Sequence, residues 1–426
     1  MRDISFLIIF IFILTLQKYP IIIAQHEALA TLWNIPDDQI MNFIARENQL
    51  KDVDNTVRSQ VQYVNPDTYA GSYIRTIDNY IDFYITDATP VNIIINLPAV
   101  IPIRHLLRFN MSQNNLNAAS LFERRGIVIN LAFEHVPILI AIFLDTEHNN
   151  VVVSLYHAND NVNRAFIDEV NQQINNPPIV FEYKDLPNNE QPNSKASAIK
   201  SRIINVDMSA GDGFCDLNQS LTCSLGYDGR RQTETGAWEN VFVTSGRCYV
   251  FEMDYFLKQQ RQLGAPPPGI YRIGKMDFRN GRDQLIDFGI LKVEEDEPIN
   301  PRPFIKNMAS PYNRELQIAL MHPIENTHVG IHICKSGYNT RVTCGYQRSF
   351  SALFFDQIDA YQIAYITNIE YNSQDVGGPA FQFLNLNSVN LVGIFTGGIG
   401  NIGLTTNLNE ITRLSRVIPV SVRHLR

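Results

Sequence analysis

The sequence predicts a chain in two parts, an α+β segment followed by a predominantly β domain of barrel or sandwich class. Three observations carry that reading. All the cysteines, Cys215, Cys223, Cys248, Cys334 and Cys344, lie in the second half. A polar, proline-bearing stretch from Leu186 to Lys200 (LPNNEQPNSKASAIK) reads as a linker between the halves. Beyond it come many short β-branched and aromatic runs punctuated by glycine and proline, whereas the first half mixes helical and alternating patterns.

Taken in order, the chain opens with Arg2 before an apolar core, Phe6 to Leu16, then Gln17-Lys18, Tyr19-Pro20 and Ile21 to Ala24. A basic start, a short apolar run and a small residue read as a secretory signal cleaved after Ala24. A membrane anchor is the alternative, but Lys18 and Pro20 interrupt the run well short of the ~20 residues a span needs. Pro36 to Lys51 carries Ile40, Phe43, Ile44 and Leu50 at helical spacing, with Asp37 and Asp38 at its start. Ser72 to Thr86 alternates like a strand pair turning at Asp78-Asn79. Ile138 to Leu155 is a pair of β-branched runs around a polar turn, a hairpin by pattern, and Asn163 to Ile174 reads as a helix. The expected organisation is a signal peptide over 1–24, an α+β domain over 25–185, a linker over 186–202 and a β domain over 203–426.

In that β domain the one candidate for a long helix is Glu252 to Leu263. Strands are expected over Val241–Thr244, Leu285–Val293, Gln317–Met321, Val329–Cys334, Val342–Tyr346, Ala360–Ile369 and Leu391–Thr396. A chain of 426 residues suits two or three domains. Its net charge of −8 argues against a nucleic-acid partner, because phosphate binding needs a basic field. Secretion turns cysteines toward disulfides, and five is odd, so one thiol stays free or pairs with another molecule. Sequons stand at Asn110-Met-Ser112 and Asn218-Gln-Ser220.

Four segments then carry a family resemblance. They are CSLGYDGRR with VFVTSGRC (Cys223 to Cys248), LIDFGILKV (Leu285 to Val293), ICKSGYNTRVTCGY (Ile333 to Tyr346), and QDVGGP with GIFTGGIGN (Gln374 to Asn401). In order and spacing, over nearly all of 203–426, they resemble the streptogrisin and α-lytic group of chymotrypsin-like serine proteases. The resemblance implies an all-β double β-barrel of chymotrypsin/trypsin type, with disulfides Cys223–Cys248 and Cys334–Cys344. The family's third bridge would fall at Glu370 and Ile402, neither a cysteine, which leaves Cys215 as the odd residue. More loosely, Tyr69-Ala-Gly71 and the hairpin around Asp145 to Val153 resemble the family's pro-region, a folding template that is cleaved off. A mature start would then fall near Ile203 or Ile204, after Arg202, with Val206-Asp207 replacing the family's glycine pair.

Peptide hydrolysis on such a scaffold needs a nucleophilic hydroxyl, a general base, a carboxylate to orient the base, and amides to hold the oxyanion. By the resemblance Arg247 stands at the base position and Val376 at the nucleophile, while Asp287 keeps the acid position. A guanidinium stays protonated near neutral pH and valine has no nucleophilic atom. The oxyanion loop is Gln374, Asp375 and Gly377, with Gln374 replacing glycine. Arg247 either pairs with Asp287 or turns to solvent. Thr396, Gly397 and Gly398 match the substrate-pocket wall, where an extended peptide adds as a strand; the turns of a barrel explain these glycines more simply. Ser373 and Ser245 lie nearby but off the nucleophile position. His322, His328 and His332 precede Cys334, and the last two suit a zinc pair on a strand or, more simply, core or solvated histidines.

The expected function is a secreted, extracellular protease homologue, catalytically silent, that binds a peptide or protein ligand such as a protease or inhibitor. It would use no cofactor and no metal. The alternatives are an active serine endopeptidase with another nucleophile and base, and a structural surface protein.

Overall fold

In the computed structural model the described residues are 26–185, 206–218, 220–258, 271–280, 285–310, 312–321, 328–356 and 359–421. The expected signal, the linker, the cut near Arg202 and His322 lie outside them.

Helix α1 (Ala28–Trp33) leads into α2 (Ile40–Val64). The second helix runs past the expected Lys51 because Val53, Val57 and Val61 continue its buried stripe. Strands β1 (Tyr69–Arg75) and β2 (Tyr80–Ile85) pair antiparallel around Asn79, whose φ of 60° an asparagine tolerates. Strand β3 (Leu107–Met111) lies parallel to β2. Helix α3 (Ala118–His135) was not expected from the sequence. Gly126, Ile127, Val128 and Ile129 weaken its propensity, but Asn117 caps its start by accepting from the Ser120 amide at 2.8 Å, and Leu121, Val128 and Leu131 are buried. The hairpin β4 (Ile140–Asp145) and β5 (Asn150–Tyr156), helix α4 (Asp160–Gln173) and strand β6 (Val180–Lys184) complete this half.

The second half opens with β7 (Val206–Ala210), β8 (Gly213–Cys215), β9 (Thr222–Ser224), β10 (Tyr227–Gln232) and β11 (Trp238–Thr244). Then come β12 (Asp254–Lys258), β13 (Tyr271–Asn280), β14 (Phe288–Lys292), β15 (Ile299–Lys306) and β16 (Glu315–Leu320). The last group is β17 (His332–Gly337), β18 (Arg341–Phe355), β19 (Ala360–Thr367), β20 (Pro379–Asn385), β21 (Ser388–Ile399), β22 (Ile402–Asn407), α5 (Leu408–Ser415) and β23 (Ile418–Pro419). The helix expected over Glu252 to Leu263 is corrected in its described part. Tyr255 and Leu257 alternate into the core, and the segment pairs with both β8 and β13 as a strand.

Six of these strands close on themselves in the order β17, β18, β19, β22, β21, β20 and back to β17. Strands β8 to β14 form an open half-barrel, lined by Phe214, Leu225, Phe242, Tyr255, Ile273 and Leu291. This closed barrel beside an open one is the double-barrel arrangement the motifs imply, preceded by an α+β region. Burying each such large apolar side chain contributes about 1.5–3 kcal/mol.

The two halves share structure. Strand β4 pairs antiparallel with the far end of β18, Ile142 opposite Leu353, so the first-half hairpin extends the barrel sheet. Helix α2 packs Leu50, Val53 and Val57 with Ile331, Ile333 and Tyr365 of the barrel, and Trp33 joins the core around Tyr227 and Phe288. No helix among the described residues is long and apolar enough to cross a membrane.

Candidate functional site

The residues singled out by the motifs meet between the two barrels. Strand β11 ends at Thr244, and the turn Gly246–Cys248 follows, capped where the Arg247 amide donates to Ser245 Oγ at 3.2 Å. The disulfide Cys223–Cys248 ties that turn to β9, and Cys334–Cys344 bridges β17 and β18. Cys215 is a buried free thiol, pushed up to about 11 by burial. Burial keeps it protonated and unreactive.

Asp287 is 1% exposed, just before β14, and its Oδ2 accepts from the Ser245 hydroxyl at 2.5 Å. Burial pushes its carboxyl up to about 6, while the Ser245 hydrogen bond and the Arg247 charge pull it down. Arg247 follows neither course open to it in the sequence. Its Nη1 donates to the Thr396 oxygen at 3.0 Å, its Nε lies 3.9 Å from Asp356 Oδ2, and its guanidinium sits 5.4 Å from the Phe354 ring centroid. The cation therefore spans from the turn after β11 to Thr396 of β21 and to Asp356 instead of pairing with Asp287 or entering solvent.

The loop from Asn372 to Gly378 is a tight 3-10 turn. The Asn372 carbonyl side chain accepts from the Gln374 amide at 3.0 Å, and the Val376 amide donates to Ser373 O at 3.4 Å. Asp375, fully buried, accepts from the amides of Asn339 (2.9 Å), Thr340 (3.0 Å) and Asn372 (2.8 Å). Its Oδ2 is 3.2 Å from Nζ of buried Lys335, whose ammonium is disfavoured by burial and supported by Asp375. The carboxylate thus organises the loop, in the way buried charges are kept when paired and hydrogen-bonded. Val376 packs partly buried against the half-barrel core.

Two glycines here answer to backbone demands. Gly377 has φ of 92°, and a Cβ on it would stand 2.0 Å from Thr244 Oγ1. Gly397 has φ of 131°, and its Cβ would stand 2.8 Å from Arg247 Nη1. Gly377 also donates to Phe395 O at 2.7 Å, and Phe395 to Gly378 O at 2.8 Å, which joins the loop to β21. On β21 the Thr396 oxygen is taken by Arg247. Tyr371 packs on Phe395 with ring centroids 5.3 Å apart, and burial raises its hydroxyl strongly.

Chemically, the amides of Gln374 and Val376 already have acceptors within the turn. Ser245 is buried and bonded to Asp287, and Ser373 Oγ lies 3.4 Å from Asn372 Oδ1. His328 and His332 stand away from this cleft, against α2. His332 Nδ1 is 2.7 Å from Glu47 Oε1 while its Nε2 accepts from the Phe383 amide at 2.9 Å. His328 Nδ1 is 2.8 Å from Asp54 Oδ2. Both are buried histidines engaged by carboxylates of the first half, and among the described residues no three His, Cys, Asp or Glu converge on a metal position. Asn110 sits half-buried on β3 with Nδ2 donating to Asp82 Oδ1 at 2.7 Å, whereas Asn218 is exposed in a turn.

Sequence reasoning missed Asp356, Lys335 and Asn372. For Asn372 the signal existed, an Asn three residues before an acidic Asp375, which is a capping-box spacing. Asp356 and Lys335 had none, since their partners are distant in the chain.

No family profile and no curated protein matches the chain. Solved structures of chymotrypsin-like serine proteases do resemble it. Protease A of Thermobifida fusca is 16% identical, with a TM-score of 0.38, covering 51% of this chain and 100% of its own. The chymotrypsin of Cellulomonas bogoriensis is 17% identical, with a TM-score of 0.37 and the same coverage of 51% and 100%. A glutamic-acid-specific serine protease that uses a histidine triad in substrate binding is 19% identical, with a TM-score of 0.37, over 50% of this chain and 100% of its own.

Proposed function

We propose that this chain is a secreted, catalytically silent protein on a serine protease fold, acting by binding a peptide or protein such as a protease or an inhibitor. The observation that carries the reading is the pair of substitutions at the reacting centre. Val376 offers no nucleophile, and Arg247, cationic at neutral pH, is bound across the cleft to Thr396 O. Loss of both base and nucleophile leaves at most the residual effect of binding. The hydrogen-bonded turn amides of Gln374 and Val376 support the same reading, since an oxyanion would have to displace their acceptors. The two disulfides support an oxidising, extracellular location. Of the sequons, Asn218 is the accessible acceptor.

The test is labelling of the purified full chain with a fluorophosphonate probe beside an active serine protease. We expect no labelling. Covalent labelling that maps to any serine would overturn the reading in favour of an active endopeptidase. The intact mass of the secreted chain, in the same preparation, reports whether it is cut near Arg202 and whether Asn218 carries a glycan.

A further inference from the structure

A cavity of about 460 Å³ opens between strand β10 of the half-barrel and strand β15 of the neighbouring sheet, on residues that take no part in the cleft described above. Asp228, Arg230, Asn240, Asn300, Arg302 and Val420 are among those that line it. Asp228 is 5% exposed, and Arg230 lies two residues along the same strand, on the same face. Across the cavity, Asp207 of β7 holds its far wall in place. It accepts from Asn300 Nδ2 at 2.7 Å and from Arg302 Nη1 at 3.0 Å.

We propose that this cavity binds a small carboxylate carrying a neighbouring amide, the chemistry of a free peptide C-terminus. The volume falls within the usual range for small-ligand sites. Two guanidinium groups at its rim suit a planar carboxylate, and Arg302 keeps further N–H donors beyond the one given to Asp207. The carboxamides of Asn240 and Asn300 can each donate to and accept from an amide. Pro301, Pro303 and Val420 offer an apolar wall for a side chain.

Asp228 sets the condition for binding. Ionised, it would repel a carboxylate; protonated, it donates a hydrogen bond to one. Burial pushes its carboxyl up to about 7, against the Arg230 charge and the Gly229 amide, which lower it. The charged groups facing it are Arg230 on its own strand and Arg302, with its partner Asp207, from β15 and β7. Strand β11 contributes Asn240, and the chain after β23 contributes Val420, both uncharged. A carboxylate should therefore bind below about pH 7 and be released above it.

The experiment is calorimetric titration of the full chain with N-acetyl-Ala-Ala as the free acid and as its C-terminal amide, at pH about 5.5 and about 8.5, bracketing the raised carboxyl. We expect the acid to bind at least about tenfold more tightly than the amide at the lower pH, and to lose about tenfold at the higher one. Asp228→Asn, which keeps the shape and a donor but removes the titrating proton, should bind the acid equally at both. Arg230→Ala should lose about tenfold while melting like the parent. Equal binding of acid and amide, binding of neither, or a pH dependence that survives Asp228→Asn would overturn the proposal. None of these outcomes depends on whether the cleft is catalytically silent.

Discussion

Arg247 donates from Nη1 to the main-chain oxygen of Thr396 at 3.0 Å, so this side chain is latched to strand β21. On the proposed peptide-binding reading, a strand-adding ligand needs free main-chain acceptors along β21, and this one is occupied.

Arg247→Ala should release it. A charge-assisted hydrogen bond to a partly buried carbonyl is worth about 1.5–3 kcal/mol. The affinity for an extended acetylated hexapeptide, followed by fluorescence anisotropy, should rise about tenfold or more. Unchanged affinity would mean that the cleft is closed by something other than the arginine.

On the proposed reading, placing a serine at 376 and a histidine at 247 should not by itself give efficient chemistry. In Val376→Ser, Arg247→His the Gln374 amide still faces Asn372 Oδ1 at 3.0 Å. Adding Asn372→Ala and Gln374→Gly frees that donor, and one oxyanion donor is worth about 10²–10³ in rate. The fluorophosphonate labelling rate of the quadruple variant should exceed that of the double by about a hundredfold. Equal rates would show that the turn amides do not limit the site.

Asp287 sits in a place that penalises its charge. Its carboxyl titrates at about 6 in the folded chain, above the ordinary 3.8. Its share of stability is thus intact below about pH 4 and is lost as pH rises through about 6. Two units correspond to about 3 kcal/mol. Asp287→Asn should raise the melting temperature by several degrees at pH about 8 and leave it unchanged at pH about 4. A lower melting temperature at the higher pH would make the charge a stabilising one.

The junction between the halves has the opposite sign. Asp145 of β4 accepts from Arg348 Nη2 of β18 at 2.7 Å. Burial opposes its ionisation, but the His148 hydrogen bond and the Arg348 charge outweigh it and hold the carboxyl at about 2, below 3.8. This stabilisation is full above about pH 4 and is lost as pH falls toward 2. Urea midpoints measured by circular dichroism should fall over that window in the parent, and fall less in Asp145→Asn. Arg348→Ala should cost about 3–5 kcal/mol near neutral pH, because buried Asp145 loses its arginine and keeps only His148, while Glu182 keeps only Lys184.

His332→Ala should be similarly damaging. It strips a partner from Glu47, 1% exposed, and an acceptor from the Phe383 amide. A loss of about 3 kcal/mol is expected, with no change in the parent's melting temperature on adding zinc. A zinc-dependent rise would restore the metal reading of this histidine.

How much of this was legible depended on the range of the interaction involved. The hairpin from Ile138 to Leu155 and the strand pair around Asn79 were readable because alternation and turn chemistry act over a few residues. Helix α3 was not, because β-branched residues and Gly126 weaken its local signal while burial of Leu121, Val128 and Leu131 decides it. The strand Asp254–Lys258 was mistaken for a helix because β8 and β13, which make it a strand, pair with it from elsewhere in the chain.

The same division holds at the cleft. The sequence by itself determined that residue 376 has no nucleophilic atom and residue 247 carries a permanent cation, since functional-group chemistry belongs to the side chain alone. Only the tertiary structure decided where that cation goes. Asp287 was the nearer partner in the sequence, but only its Oδ2 is engaged, by Ser245, and Arg247 reaches instead to Thr396 and Asp356, both more than a hundred residues away in the chain. A hydrogen bond or ion pair depends on distance in space, and that distance is set by the closure of the barrels.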